Sequence, residues 1–367
     1  MSAASVAEPV AAPASPTGLA QFCDQLSGPP QAWPELVSFF AAEHATEVAP
    51  QALALAREIR RRHGAAVQGV LFYGSCLRRR TVEDSVLDFY VVVDSYQAAY
   101  KRNIKGGLLA LSNWLLPPNV YYVETLWQGQ RLRMKYNIVS QRDFSRACRY
   151  SSLHAIVWAR FCQPAALAWA RDGAARERIA GDAAEAALTM VGRMLALYPQ
   201  ITDVEALWQF GFAHTYGTEL RPETDDTIES IFRAAPQRYF KVTQLAVSEL
   251  ARRGLLEGCV RQSPSDGAPR DGGPQAGASA VIQVHMEDAR RRAIARRSSW
   301  TGALAKSVYL VRLLKSALTF GDWLPYVIWK LGRHTGVYIE VTERQRRHPL
   351  VWGWPVLFRL LRRQTLR

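Results

Sequence analysis

Cysteine and histidine are scarce in this 367-residue chain, with five of the former and seven of the latter. Cys23, Cys76, Cys148, Cys162 and Cys259 form no C-x-x-C pair, so neither a disulfide framework nor a zinc ribbon is expected. No histidines occur as H-E-x-x-H or at helical i, i+4 spacing, which removes the common zinc-enzyme patterns. A long apolar run is also missing. Residues 316–329 are broken by Asp322 and Pro325, and 349–358 fall short of the roughly 18 residues a span requires. Residues 1–17 are rich in Ala, Pro and Ser and carry no Arg, so neither a secretory nor a mitochondrial leader is expected. Long polar repeats are absent too, which excludes collagen-like, coiled-coil and mucin-like chains.

What is present is a globular composition, 49% hydrophobic and 21% charged, sufficient for about two domains. The net charge is +14, and its distribution is uneven. Residues 285–367 carry +12, and everything before them carries only +2. A basic tail of this kind serves either nucleic acid or an anionic membrane surface.

Residues 1–17 are expected to be disordered, and 18–141 to form an α/β domain. Within it, 18–40 and 51–62 read as helices, 67–72 and 87–93 as strands, and 96–115 as a helix with a weak spot at Gly106-Gly107. Pro117-Pro118-Asn119 ends that helix, and 120–126 with 132–139 read as two strands around Gln128-Gly129. Residues 142–260 show helical spacing almost throughout. Residues 261–280 read as a flexible linker and domain boundary, and 281–367 as a basic amphipathic region.

The chemistry lies between the first two strands. An apolar strand runs into Tyr73-Gly74-Ser75, and about a dozen residues later Asp88 opens a second apolar strand. This is a nucleotidyltransferase arrangement. Glycine allows the backbone close to a triphosphate, while Ser75 and neighbouring N–H groups donate to its oxygens. Asp88 would hold Mg²⁺, which neutralises charge at the α-phosphate and the leaving pyrophosphate. Many such enzymes carry D-x-D at this point, and here Val86 stands at the partner position. Asp84 or Glu83 would have to supply a further ligand from the loop, and Glu124 is the next local choice. Cys76 reads as a packing residue, not a nucleophile.

Five segments, in order, resemble the mitochondrial-type phosphatidate cytidylyltransferases, the translocator assembly and maintenance family. They are Tyr73-Gly74-Ser75 with Asp88, Asn119-Val120-Tyr121-Tyr122, Lys135-Tyr136-Asn137-Ile138-Val139, Arg160-Phe161-Cys162-Gln163-Pro164, and Thr215 to Arg221. The family's W-H and H-Y-S signatures are replaced by residues 103–116, so the chain looks like a bacterial relative. The resemblance implies a nucleotidyltransferase-fold domain, a mostly helical domain and a basic C-terminal region. It implies CTP and phosphatidate, or another anionic lipid, as substrates, with Mg²⁺ as cofactor. It also implies that Tyr73, Gly74, Ser75, Lys135, Arg160 and Arg221 bind nucleotide. Lys135 reads equally well as a solvated strand lysine, and Arg221 as a partner of Glu219 or Glu223.

Residues 301–315 place Leu304, Val308, Val311 and Leu314 near one helical face. Trp323, Trp329, Trp352 and Trp354 follow, with Arg359, Arg362, Arg363 and Arg367. Such a pattern suits a membrane interface, although a helical cap packed on the core has the same pattern. The aliphatic bulk between its bases disfavours nucleic acid. A cytoplasmic enzyme, peripheral on the inner face of a bacterial cell membrane, is the expectation.

Overall fold

The computed structural model describes residues 32–82, 85–152, 155–216, 225–262, 280–296, 298, 311, 312 and 315. It divides into two compact units. A sheet unit comprises Glu47–Gln141, Ala168–Ala170 and Leu310–Arg367, and a helical unit comprises Met1–Thr46, Arg142–Leu167 and Arg171–Tyr309. The elements are α1 (Ala32–His44), α2 (Pro50–His63), β1 (Val67–Tyr73), α3 (Ser75–Arg79), β2 (Val86–Val93), α4 (Tyr96–Ala99) and α5 (Ile104–Leu115). Then come β3 (Asn119–Trp127), β4 (Gln130–Ser140), α6 (Gln141–Cys148), α7 (Ala155–Phe161) and β5 (Ala165–Ala170). The chain continues through α8 (Gly173–Leu197), α9 (Val204–Tyr216), α10 (Asp225–Arg233), α11 (Pro236–Arg252), β6 (Glu257–Gln262) and β7 (Ala280–His285).

Five strands form a mixed sheet in the order β3-β4-β2-β1-β5. β1 and β2 run antiparallel, as do β3 and β4, while β2 and β4 run parallel. The β3–β4 connection is a two-residue turn at Gln128 and Gly129, both with positive φ, which matches the twist of a tight hairpin. On one face Phe72, Phe89, Val91, Tyr136 and Ile138 are buried, and α2 packs against β1, β3 and β4. His63 closes this layer. Its Nδ1 donates to the Ala99 carbonyl at 2.9 Å, so Nε2 accepts from the Tyr136 hydroxyl at 3.1 Å. Burial holds the ring below the usual histidine pKa, keeping it in this neutral form. Asn113 and Asn119 complete the layer. Asn113 Oδ1 accepts from the Asn119 N–H at 2.7 Å, and its Nδ2 donates to Tyr100 Oη and the Ile138 carbonyl.

The helical unit is organised around α8, against which α1, α7 and α11 pack. Buried alanines at 183, 184, 186 and 187 leave room for that close approach. Arg238 ties α11 to α1 through a two-pronged pair with Glu43, and donates a third bond to the Cys162 carbonyl at 2.9 Å.

Four features differ from the sequence reading. Helix α1, expected with the α/β domain, belongs to the helical unit. The helix expected over 96–115 breaks at Tyr100–Asn103, where the Asn103 side chain caps α5 by accepting from the Gly106 N–H at 2.8 Å. Gly106 is no weak spot: a Cβ there would lie 1.8 Å from the Lys101 carbonyl oxygen. A strand, β5, lies inside the stretch read as helical. Finally, Glu257–Gln262 pairs antiparallel with Ala280–His285, so the segment read as an inter-domain linker joins two partners of one ladder. Residues 263–279 themselves lie outside the described residues. Among the described residues, no helix is long and apolar enough to cross a membrane.

Candidate functional site

The turn after β1 sets the site. Gly74 adopts φ 90° and ψ −164°, a conformation essentially restricted to glycine. It reverses the chain into α3, whose first residue, Ser75, is half-buried. The antiparallel register places Tyr73 opposite Asp88. A Cβ on Gly74 would sit 3.4 Å from Asp88 Oδ2, so the bare backbone lies directly against the carboxylate. The parallel register of β2 and β4 then places Lys135 beside Asp88 from the other side. Its Nζ is 3.6 Å from Oδ1, with the Lys135 and Asp88 side chains 35% and 31% exposed. One carboxylate oxygen faces the glycine turn and the other a cation, at the edge of solvent.

The surrounding side chains fix this arrangement. Asn137, two residues along β4, donates to the Tyr73 hydroxyl at 3.2 Å, and the Tyr73 and Tyr90 rings lie 5.9 Å apart. Cys76 donates to the Val86 carbonyl at 3.6 Å, joining α3 to the start of β2. Burial, reinforced by the Asp88 charge, raises its thiol pKa. That disfavours the thiolate a nucleophile needs and agrees with a packing role.

Glu124 is placed elsewhere. Register puts it opposite Arg133 on β4, and Tyr122 is the residue opposite Lys135. It therefore lies two interstrand spacings across the sheet and two residues along it from Asp88, roughly 12 Å away. Its carboxylate accepts from the Tyr122 hydroxyl at 2.7 Å and pairs with Arg133 at 3.4 Å and Arg131 at 3.6 Å. The sheet does not bring Glu124 and Asp88 together. Among the described residues, no three His, Cys, Asp or Glu side chains form a metal-holding group. Asp84 and Arg221 lie outside the described residues. Arg160 belongs to the helical unit, where Nη1 donates to the Ile156 carbonyl at 3.4 Å. It lines a small cleft there with Gln163, Thr215 and Tyr216.

Two cations of the C-terminal region, Arg312 and Lys315, pack within the sheet unit. Arg312 interacts with Tyr90, which alternation places on the Asp88 face of β2, and its Nε is buried without a hydrogen-bond partner. Lys315 donates to the carbonyls of Leu116 and, at 2.8 Å, Pro118. Burial lowers both pKa values, that of Lys315 to about 8, with the Arg312 charge adding to the effect. Of the face expected over 301–315, Leu304, Val308 and Leu314 lie outside the described residues, as do Trp323, Trp329, Trp352, Trp354 and the terminal arginines.

No family model matches the chain, and no curated protein matches it. Among solved structures, one similar chain is a nucleotidyltransferase-like protein from Exiguobacterium sibiricum. It is 8% identical, with a TM-score of 0.24 over 65% of this chain and 99% of that one.

Proposed function

We propose that the sheet unit binds a nucleoside triphosphate at the Gly74–Ser75 turn and transfers its nucleotidyl group. The observation that carries this reading is the glycine-only conformation of Gly74 with its bare backbone against the Asp88 carboxylate. Ser75 would meet phosphate oxygens by hydrogen bonding and Lys135 by charge. Mg²⁺ commonly binds one or two carboxylates together with substrate phosphates and water. One carboxylate, Asp88, fits a magnesium ion that arrives with the triphosphate, and would hold it where charge develops on the leaving pyrophosphate. It does not fit an ion retained by the protein alone, because Lys135 already faces the same carboxylate.

The ordered family-like segments support the finer reading, in which CTP is the donor and phosphatidate the acceptor. A phosphatidate oxygen would attack the α-phosphorus as the bond to pyrophosphate breaks, giving CDP-diacylglycerol. The acceptor is a phosphomonoester, largely ionised near neutral pH, so no general base is required. The protein's contribution is positioning and charge screening.

A second reading has its own observation. Lys135 occupies the register beside Asp88, and Val86 stands where a second carboxylate would help, an arrangement that suits nucleotide binding without turnover. Incubating the full chain with labelled CTP or ATP, with and without phosphatidate liposomes, separates the two. Pyrophosphate release that requires CTP and phosphatidate supports the cytidylyltransferase. Nucleotide retention without release supports the binding module, and release without lipid, which leaves only water or the protein to take the nucleotidyl group, shows turnover that does not need phosphatidate.

A further inference from the structure

Helix α5 is built inside out. The residues it buries are Gly106, Ala110 and Asn113, two small and one polar. The residues it exposes are large and apolar: Ile104 is 86% exposed, and Leu108, Leu111, Trp114 and Leu115 are between 51% and 64% exposed. At 3.6 residues per turn, Ile104, Leu108, Leu111 and Leu115 fall within an arc of about 60°, so they form one continuous stripe. Isolated exposed leucines are ordinary, but five large apolar side chains on a twelve-residue helix are not.

The charge around the stripe has one sign. Lys101, Arg102 and Lys105 are exposed at its start, and no acidic residue occurs between Asp94 and Glu124. An apolar stripe with Trp and Leu beside a basic collar is the composition that lies in the interface of an anionic bilayer. A second copy of this chain would bring the same collar and offer it no complementary charge. Lys315 adds a further cation at the same corner, held on the carbonyls of Leu116 and Pro118 just beyond α5.

We propose that the outer stripe of α5, with Lys101, Arg102 and Lys105, is a docking surface for an anionic lipid bilayer. Its purpose rests on the lipid acceptor of the reading above, while the binding itself is measured without nucleotide. Docking here would hold the sheet unit at the surface where a diacyl phosphate acceptor resides.

The test is flotation of the full chain with vesicles of phosphatidylglycerol and phosphatidylcholine, against phosphatidylcholine alone, for wild type and Leu108→Gln/Leu111→Gln. Both positions are exposed, so the variant is expected to fold, which circular dichroism checks. Partitioning onto the anionic vesicles should fall by about tenfold or more in the variant. Hydrogen exchange over residues 101–116 reads α5 separately from the tail, and should slow when vesicles are added to wild type. The proposal is overturned if the variant partitions as wild type does, or if exchange over 101–116 ignores vesicles. It is also overturned if light scattering finds a wild-type dimer that the variant breaks while lipid binding is unchanged. Pyrophosphate release plays no part in these readouts, so their failure and the failure of the nucleotide reading are distinguishable.

Discussion

Replacing Gly74 with alanine adds one methyl group at the centre of the proposed site. At φ 90° and ψ −164°, an L-residue enters a region that costs about 1–3 kcal/mol to occupy. The new Cβ would lie 3.4 Å from Asp88 Oδ2, an ordinary van der Waals contact, so the cost is torsional and not a clash. Two outcomes are open to the chain. It can keep the turn and lose about 1–3 kcal/mol of stability, or relax the turn and move Ser75 away from Asp88. Either way a methyl group replaces the bare backbone where a phosphate would approach. Nucleotide affinity should therefore fall at least about tenfold even where the protein is fully folded, equivalent to about 1.4 kcal/mol. Gly106→Ala is the control. Its Cβ would meet the Lys101 carbonyl oxygen at 1.8 Å, a backbone atom, so the α4–α5 junction must shift. That variant should lose more stability while its folded fraction binds nucleotide normally. Urea unfolding and equilibrium nucleotide binding measure both quantities. A Gly74→Ala protein with wild-type stability and wild-type affinity would refute the assigned turn geometry and its role together.

Asp88→Asn should abolish pyrophosphate release and change stability by less than about 1 kcal/mol, because its partner Lys135 is near the surface; urea unfolding and a turnover assay check both. Asn113→Leu should destabilise the sheet unit by about 2–3 kcal/mol, since the Asn119 N–H and the Ile138 carbonyl each lose a buried partner; the denaturation midpoint reads this. Burial lowers the pKa of His44 to about 4, and neither of its ring nitrogens has a hydrogen-bond partner. The unfolded chain takes up this proton near pH 6.5 and the folded chain does not, so stability is intact above that pH and falls towards pH 4. The loss is on the order of 3 kcal/mol, and a His44→Phe variant should unfold with a flatter pH profile over that window.

The first four strands could be read from the sequence because each combines large apolar residues with a nearby turn, as Gln128-Gly129 does between β3 and β4. β5 could not. Four of its six residues are alanine, a helix former, and only a neighbouring strand edge makes the segment extended. The same distinction governs the site. Gly74, Ser75 and Asp88 lie within one strand–helix–strand unit, and local spacing is enough to relate them. Lys135 reaches Asp88 only through the parallel register of β2 and β4, which spacing does not encode. Register also explains Glu124, since the hairpin that places Tyr122 opposite Lys135 turns Glu124 towards Arg133. Helix α5 shows a related limit: periodicity reveals an apolar stripe, but cannot say that Gly106, Ala110 and Asn113 take the inward face instead.

The positions of β7, Arg312 and Lys315 change how the role of the C-terminal region should be tested. Read as a detachable membrane tail, residues beyond 280 would be removed to abolish vesicle binding and spare nucleotide binding. The structure gives that cut two further consequences. It removes β7, whose six residues pair along the whole of β6, leaving the β6 ladder in the helical unit unpaired. It also removes Arg312 from beside Tyr90 and Lys315 from the carbonyls of Leu116 and Pro118, and so uncovers part of the sheet unit. A truncated protein that lost both vesicle and nucleotide binding would say little about membranes. Point substitutions avoid this ambiguity. Charge reversal at Arg359, Arg362 and Arg363 leaves β7, Arg312 and Lys315 in place and addresses only the terminal cations. It should weaken binding to anionic vesicles in proportion to the charge removed, up to about 1 kcal/mol per base before screening. Under the same change nucleotide affinity should hold constant, and a parallel loss of both would show that these arginines serve the nucleotide site.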